Sequence, residues 1–598
     1  METTTAVSAQ TPEQTSDRAS PSPAPAGRRS AWHFLWAGLF YAGLTVLFTW
    51  PLALHMSSQF VGQVGDNIYF IWLIEWARRA LFQLHISPVF VPFLNYPQGW
   101  NLAFTEITPA QLAIAIPASL VGGAYFGYNF TLLASFVLSG LAMYIWIEHL
   151  TGSRGAALVA GTIFGFLPFR MSHFLIGHLN LTGTQWLPLF FMGLYDLLRP
   201  GRWTWKPVVL AGVSLGLVGL TSMYYLYMCI LAAAVFVLAY LVQIRQRAAW
   251  VRGVWKNVLG FGAVAAPLVF VSILPFLQLS RSGAMTNRTV AYASMYSASP
   301  TDFLLPSTLH FLFGRWVGAH FDRSLWIEGT LYIGAVALVL GVIAFLRRRQ
   351  TGNAILIWML VGMAAFAFVM ALGTNLHWLN QPVMVRVPGF LQRWIHRETA
   401  PIPLPSYAMF LYFPFFAKMR ALMRFGLFVL VATSALAGLG AAWVLGRVRP
   451  ARRALAAGLL VALVIFDFYP RPFATLSSVQ PRPVDAWLAQ QPGSGAVAQF
   501  PFSQEVDQVQ TYYSQFYNKP FIGGFFAAFE PPQYSRIKPV LDGFPSPEGA
   551  ALLRQLGVAF VVVDSTGYPD LPAVRKQIEA LGLVEKTVQA NEVVYEWK

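Results

Sequence analysis

The stretch NFTLLASFVLSGLAMYIWIEHLTGSRGAALVAGTIFGFLPFRMSHFLIGHLNLTGTQWLPLFFMGLYDLLR (129–199) decides the class of fold. It contains three apolar runs, near 128–148, 155–176 and 183–199, separated by a Gly-Ser-Arg connector and by the turn FRMSHFLIGHLN. A helix of about twenty mostly apolar residues is long enough to cross the hydrocarbon core of a bilayer. The stretch therefore predicts consecutive transmembrane helices joined by short connections.

Similar apolar runs recur along the whole chain. They lie near 31–54, 207–223, 225–243, 257–279, 329–346, 353–373, 423–445 and 454–470. Of the 598 residues, 56% are hydrophobic and only 11% are charged, whereas soluble domains carry about 25% charged residues. A soluble enzyme is excluded, and the sequence predicts a polytopic α-helical membrane protein with about eleven spans.

The distribution of basic residues predicts the orientation of these spans. The net charge of +16 comes largely from short basic connectors between apolar runs, at 199–206, 245–256, 347–349 and 447–453. Cytoplasmic loops of membrane proteins carry such an excess of Lys and Arg, so nucleic-acid binding is not needed to explain it. All four clusters are cytoplasmic only if the segment 109–122, interrupted by two prolines, does not cross the membrane.

This topology divides the chain into a tail, a membrane domain and an outer domain. Residues 1–30 are predicted to be a disordered cytoplasmic tail, followed by an uncleaved signal anchor and a transmembrane domain over 31–470. The long or polar outer loops are 55–127, 170–182, 280–328 and 374–422. Short strand-like and helical segments over 471–598 predict a small extracytoplasmic α/β domain. We therefore expect the functional site of the protein to lie on the outer face of the membrane.

Asp66 is the first candidate catalytic residue. It follows the first span closely and precedes IYFIWLIEWARRALFQL (68–84), which is predicted to be an amphipathic helix lying along the membrane interface. A carboxylate there could take a proton from an acceptor hydroxyl or bind a divalent cation. The alternative is that Asp66 only caps the interfacial helix.

The arrangement of one span, a long outer loop with an early Asp, and the segment TPAQLAIAIPASLVGGAYFG (108–127) resembles the GT-C superfamily of membrane glycosyltransferases. The stretch 129–199 continues the resemblance, which extends over about 31–280 and includes family 39-like enzymes that use polyprenyl-phosphate sugars. The carboxy-terminal half is more similar to uncharacterised YfhO-type bacterial membrane proteins.

The resemblance implies an inverting glycosyltransferase in a bacterial inner membrane. The sugar would pass from a polyprenyl phosphate to a lipid, glycan or protein acceptor on the outer face, with Asp66 as the catalytic residue. The second-loop acid of many members has no counterpart here, because the turn carries Arg170, His173 and His178 instead. This departure puts a two-carboxylate metal site in doubt. No metal ligand is predicted, and a divalent cation is possible without being required.

The remaining candidate residues are assigned to substrate binding. The two histidines, with Arg170, would contact the donor phosphate or orient the acceptor, or else form ordinary interfacial hydrogen bonds. Glu106 ends a turn-rich segment and could share a site with Asp66.

FFAKMRALMRFG (415–426) places Arg420 and Arg424 four residues apart, which predicts one helix face. Guanidinium groups on that face would hold the donor phosphate, or would snorkel to the head groups of membrane lipids.

Two rival functions remain open. One is a transporter or flippase of a lipid-linked sugar, although the spans hold almost no charged residues at mid-depth. The other is a non-catalytic envelope-assembly protein that binds a glycan or a partner through its outer domain. The sequence contains no P-loop, Rossmann glycine fingerprint or Ser-His-Asp set.

Overall fold

The computed structural model describes most of the chain. The described residues are 32–199, 204–281, 283, 285–472, 475–524 and 529–598. The predicted disordered tail, 1–30, lies outside them.

The described chain is mostly helical, and each predicted apolar run coincides with a helix. Among the described residues, six helical stretches are long and apolar enough to cross a membrane: Pro109–Thr151, Arg154–Ile176, Met223–Gln243, Arg247–Arg281, Ala354–Ala371 and Leu422–Arg447. The remaining runs coincide with the shorter helices Trp32–Phe48, Trp186–Leu198, Trp205–Thr221, Ala335–Leu346 and Arg453–Phe468. The count of about eleven crossings stays a prediction.

The helix Gly426–Arg447 lies at the centre of the membrane domain, with most of its side chains buried. It packs against Ala335–Leu346, Ala354–Ala371 and Arg154–Gly165. Close approach depends on small residues, because a Cβ built on Gly440 would lie 1.9 Å from the backbone oxygen of Leu340. Small residues at helix contacts are typical of membrane domains, where tight backbone approach favours association.

The segment 109–122 ends at a break in the long helix Pro109–Thr151. Gly122 and Gly123 have non-helical backbone angles, and Gly123 has a φ of 82°. Glycine adopts this left-handed conformation without the steric cost that a Cβ imposes. The break separates the first part of the helix from the second, while its placement relative to the membrane stays a prediction.

The helix after Asp66 is not the interfacial amphipathic helix that the sequence predicts. It spans Asp66–Arg79 and continues as a π-helical turn, Ala80–Leu84. Its residues 67–74 are all buried, because Pro109–Thr151 covers one side and Gln504–Tyr517 of the carboxy-terminal domain covers another. The helix is an internal support of the site rather than a membrane-surface element.

Short elements make up the loops between the long helices. The short strands are Phe60–Val61, Phe90–Val91, Trp100–Asn101, His377–Trp378, Gln381–Pro382, Met384–Arg386 and Thr399–Pro401. The short helices are Pro168–Ile176, Leu179–Thr182, Val290–Met295, Gly314–His320, Trp326–Gly329, Gly389–Ile395 and Pro405–Tyr412. The predicted polar turn 170–182 is thus mostly helical, and residues 168–174 are buried.

The carboxy-terminal residues form an α/β unit around a four-stranded sheet. Its strands, in spatial order, are Leu583–Gln589, Glu592–Trp597, Val558–Asp564 and Ala496–Phe500, and the last two are parallel. Helices Pro483–Gln490, Gln504–Tyr517, Pro532–Leu541, Pro547–Gln555 and Leu571–Ala580 accompany the sheet.

This unit is joined to the first loop by hydrogen bonds. Asn95 Nδ2 donates to the backbone oxygen of Gly524 (2.7 Å), and Gln533 Nε2 donates to that of Tyr96 (2.6 Å). The strand Phe60–Val61 also pairs with Leu476–Ser477. The carboxy-terminal unit is therefore packed against the loop that carries Asp66.

Candidate functional site

Asp66 is the first residue of its helix, and its carboxylate is not the cap. Gly65 occupies the N-cap position, and the Asn67 side chain accepts hydrogen bonds from the backbone N–H groups of Gly65 (3.0 Å) and Ile68 (2.9 Å). The capping role considered for Asp66 thus belongs to its neighbour. The Asp66 side chain remains 37% exposed, so an external hydroxyl can reach it.

Two histidines connect Asp66 to the interior. His178 Nε2 lies 2.9 Å from Asp66 Oδ2, and the Nδ1 atoms of His178 and His173 are 2.7 Å apart. Since one nitrogen of such a pair must donate, a hydrogen lies between the two rings. The arrangement links a partly exposed carboxylate to a fully buried imidazole.

Gly177 explains how His173 and His178, which are five residues apart, come into contact. The helix Pro168–Ile176 ends at Gly177, whose φ of 84° turns the chain back, as is common after a helix end. A Cβ on Gly177 would lie 2.6 Å from Asn67 Cβ, so glycine is also needed for close approach to the Asp66 helix.

Glu328 is a site residue that the sequence analysis missed. Its Oε2 lies 3.8 Å from His173 Nε2, and Arg424 Nε donates to both of its carboxylate oxygens, at 3.1 and 3.0 Å. Burial raises the pKa of Glu328, but Arg424 and the nearby histidines outweigh burial and lower it to about 2. Glu328 is therefore an ionised group that offsets the charge of Arg424.

A second buried ion pair holds the turn that carries Glu328. Arg323 donates to Asp302 and to the backbone oxygen of Gly329 (2.8 Å). Asp302 also accepts from the backbone N–H of Ser299 (2.8 Å). These bonds fix the helical turn Trp326–Gly329 to the short turn that carries Asp302.

Arg420 and Arg424 do not share a helix face. Their segment forms two short 3₁₀ turns, Phe416–Lys418 and Leu422–Phe425, because Met419 and Ala421 have extended backbone angles. Arg424 points to Glu328. Arg420 instead donates to the hydroxyl of Tyr296 (2.9 Å) and lies over that ring.

Lys418 and Arg420 belong to a partly exposed basic cluster. The backbone N–H of Arg288 donates to the backbone oxygen of Ala417 (2.8 Å), and Lys418 Nζ donates to that of Met285 (2.5 Å). In the described part of the chain, no carboxylate pairs with Lys418 or Arg420. We call Arg288, Lys418 and Arg420 the basic cluster.

Arg170 lies behind the histidines, fully buried. Its guanidinium donates to Ser135 Oγ (3.0 Å) and to the backbone oxygen of Thr182 (2.9 Å), and it stacks over the Phe136 ring. These contacts tie the chain on both sides of the histidine turn to the helix Pro109–Thr151.

Glu106 faces the interior of the site. Asn180 hydrogen-bonds its carboxyl group, and Oε1 is buried without a partner among the described residues. Burial raises the pKa of Glu106 to about 7, even though Arg424 and Asn180 act in the opposite direction. Glu106 can therefore hold or release a proton near neutral pH.

The site brings together most of the predicted residues. A series of contacts runs from Asp66 through His178 and His173 to Glu328, which pairs with Arg424. Glu106 lies within electrostatic range of Arg424. Within the described ranges, no group of three or more His, Cys, Asp or Glu side chains is placed to hold a metal ion. The carboxylate of Asp66 contacts an imidazole instead.

Comparison with solved structures defines the class of fold. The arabinofuranosyltransferase AftD from Mycobacteria is similar over 95% of this chain and 40% of its own, with a TM-score of 0.54 and 16% identity. The apo oligosaccharyltransferase of Archaeoglobus fulgidus is similar over 90% of this chain and 70% of its own, with a TM-score of 0.50 and 12% identity. This chain thus spans less than half of the length of AftD. It has the fold of the GT-C membrane glycosyltransferases.

Sequence comparison then assigns the family. The model of the family described as "Domain of unknown function (DUF6311)" matches residues 76–397, more than half of the chain, and the protein belongs to that family. No curated protein sequence matches this chain.

Proposed function

We propose that this protein is an integral membrane glycosyltransferase that moves a sugar from a polyprenyl-phosphate donor to a hydroxyl group of a lipid, glycan or protein. The observation that carries the proposal is the contact between Asp66, still partly exposed, and His178 within a GT-C fold. A carboxylate that is accessible on one side and fixed on the other is suited to act as a general base.

Asp66 takes the proton of the acceptor hydroxyl as that oxygen attacks the anomeric carbon. The bond between the anomeric carbon and the phosphate oxygen breaks on the opposite face, so the configuration inverts and the polyprenyl phosphate leaves with the electron pair. The leaving group is already anionic, and the site must stabilise charge rather than supply a proton to it.

The two histidines position Asp66. In the neutral pair, His178 donates its Nε2–H to Asp66, and its Nδ1 accepts the Nδ1–H of His173. This hydrogen-bond chain holds the imidazole of His178 in one tautomer and leaves the second oxygen of Asp66 for the acceptor. Arg170 stabilises the turn that carries the two histidines, and Glu106 adds a further polar side chain to the lining of the site.

The basic cluster is the proposed phosphate site. Guanidinium groups bind phosphate oxygens in a bidentate manner, and Arg420 has no carboxylate partner in the described structure. Arg424 is neutralised by Glu328, so we assign Arg424 to positioning and Arg420 to the phosphate. Directly before the cluster, Leu411, Tyr412, Phe413 and Phe415 are exposed, and they offer an apolar path for a lipid tail.

The proposed topology places Asp66, the basic cluster and the carboxy-terminal unit on the outer face of a bacterial inner membrane, with the amino terminus in the cytoplasm. The basic connectors between apolar runs support this orientation. Basic residues on the outer face are the exception to that rule, and phosphate binding explains them.

A transfer assay tests the proposal. The purified protein is incubated in detergent with a panel of polyprenyl-phosphate sugars and candidate acceptors, with and without a chelator. Wild type and the control variant Glu75→Gln, whose side chain pairs with Arg78 away from the site, should transfer sugar equally. Asp66→Asn should lose transfer, and full activity in this variant would contradict the proposal. The chelator arm decides whether a divalent cation participates.

A further inference from the structure

His310 fixes the segment that follows it, residues 311–316, to the end of the helix Arg453–Phe468. We call this segment the apolar turn. The His310 Nδ1 atom accepts hydrogen bonds from the backbone N–H groups of Leu312 and Phe313, both at 3.1 Å. Its Nε2 atom therefore carries the hydrogen, and it donates to a carbonyl oxygen in the last turn of the helix, at 3.1 Å. The last four carbonyl groups of a helix have no partner within it, so one imidazole binds both the apolar turn and the helix end.

Backbone hydrogen bonds hold the same junction on both sides of the apolar turn. The N–H of Phe311 donates to the backbone oxygen of Tyr469 (3.1 Å), and the N–H of Arg471 donates to that of Leu309 (2.7 Å). The Phe311 ring also packs edge-on against the rings of Phe466 and Tyr469, with centroid separations of 5.4 and 5.9 Å. The apolar turn is therefore continuous in space with the end of the helix.

The helix Arg453–Phe468 has an exposed apolar face. Its members recur every three or four residues, as the residues of one helix face do: Leu455, Leu459, Leu463 and Phe466. The helix also packs against Arg154–Gly165 and Ala335–Leu346 of the membrane domain. A large exposed apolar face on a membrane domain is a surface that contacts lipid.

This helix is shorter than the hydrocarbon core of a bilayer. Its 16 residues rise about 24 Å at about 1.5 Å per residue, whereas the hydrocarbon core is about 30 Å thick. The exposed apolar face continues past the end of the helix through Phe311, Leu312 and Phe313, and it reaches Trp316 on the helix Gly314–His320. The apolar turn thus adds apolar surface at the end where the helix stops.

The residues at the rim of the apolar turn match the head-group region of a membrane. Trp316 is exposed, and tryptophan is enriched where the bilayer meets water. Arg315 precedes it, and Arg471 lies at the junction with the helix, and both arginines are exposed. Long basic side chains lay their stems on apolar surface and place their charge among lipid head groups.

We propose that the apolar turn inserts into the membrane interface, where phospholipid acyl chains contact its exposed rings and phospholipid head groups contact Arg315. The partner is lipid because the apolar turn continues the lipid-facing surface of the helix Arg453–Phe468. The apolar turn lies in the loop between Asp302 and Arg323, whose ion pair holds the turn that carries Glu328. Its insertion anchors to the bilayer the same loop that supplies Glu328 to the site.

Site-directed spin labelling tests the insertion in the full-length protein. Cys229, the single cysteine of the chain, is buried, and Cys229→Ala provides a background without a thiol. A nitroxide is attached through Leu312→Cys, and the protein is reconstituted in vesicles of phosphatidylethanolamine and phosphatidylglycerol. Collision rates are then measured with molecular oxygen, which concentrates in the bilayer, and with a nickel chelate, which stays in water.

Two further labels serve as references. Leu459→Cys reports the lipid-facing side of the helix. Val588→Cys is the matched control, because Val588 is also apolar and is 48% exposed, compared with 55% for Leu312. Val588 lies on the strand Leu583–Gln589 of the carboxy-terminal sheet, away from the membrane helices.

The ratio of oxygen to nickel collisions at Leu312 should be severalfold higher than at Val588 and close to the ratio at Leu459. A nickel collision rate at Leu312 equal to that at Val588 would overturn the insertion. Spin–spin broadening at Leu312, with both reagents excluded, would also overturn it, since a second copy of the chain would then cover the apolar turn.

His310→Ala tests the hydrogen bonds that fix the apolar turn. Their loss should make the label at Leu312 more mobile and more accessible to the nickel chelate, while the label at Leu459 keeps its spectrum and reports an intact membrane domain. An unchanged spectrum at Leu312 would overturn the role of His310. Sugar transfer is not measured in these experiments, so their outcome is independent of the proposed glycosyltransferase activity.

Discussion

The ionisation of Glu106 should make the stability of the protein depend on pH. The pKa of its carboxyl group is about 7 in the folded protein, compared with an ordinary value of 4.5. Because the folded state holds this proton more firmly, the stabilisation is fully present below about pH 4.5 and is lost as the pH rises through about 7. With about 1.4 kcal/mol for each pH unit, the loss approaches roughly 3 kcal/mol.

Glu106→Gln removes the ionisation while keeping the shape and a polar group for Asn180. We expect the variant to be more stable than wild type above neutral pH by up to about 3 kcal/mol, and this advantage to shrink as the pH falls towards 4.5. The measurement is the thermal midpoint of both proteins in the same detergent across this pH range. The difference between the two proteins cancels the contributions of other titrating groups.

A constant difference at every pH would refute the assignment of a raised pKa to Glu106. Infrared spectroscopy supplies a second observation, since the carbonyl band of a protonated carboxyl group should be present below neutral pH. That band should be absent in Glu106→Gln. Agreement of the two measurements would locate the titrating group at this residue.

Two further predictions concern packing and the buried ion pair. Arg424→Met alone leaves the Glu328 carboxyl group buried without its ion-pair partner and should destabilise the protein by about 3–5 kcal/mol, whereas the double variant with Glu328→Leu should recover most of this loss in thermal unfolding. Gly440→Ala should lower the thermal midpoint because its Cβ would meet the Leu340 backbone, whereas Gly446→Ala on the same helix has open space and should not. Equal midpoints for the two glycine variants would contradict the described packing.

The helices of the membrane domain were accessible from sequence because runs of apolar residues have few alternatives in a bilayer. The contacts between the residues of the site could not be predicted from local sequence patterns alone. Glu328 lies beside the apolar run 329–346, and an acid at such a place is costly enough to be a signal. Its partner, Arg424, is almost a hundred residues away, and local patterns do not report a contact of that range.

The contact between His173 and His178 has a sequence signal, which is the glycine between them. A spacing of five residues does not place two side chains squarely on one face of a continuous helix. Gly177 between them marks the end of a helix, and a turn there brings His178 back to His173. The interfacial position predicted for 68–84 was wrong for another reason, because the covering helix Gln504–Tyr517 lies more than four hundred residues later in the chain.

A double-variant cycle on Asp66 and His178 is the most direct test of the proposed chemistry. Single-turnover transfer rates are measured for wild type, Asp66→Asn, His178→Ala and the double variant, after a donor has been found. If His178 acts through Asp66, Asp66→Asn should lower the rate by roughly 10²- to 10⁴-fold, and His178→Ala should add nothing to that loss. A double variant slower than Asp66→Asn by the full factor of His178→Ala would contradict a single catalytic unit.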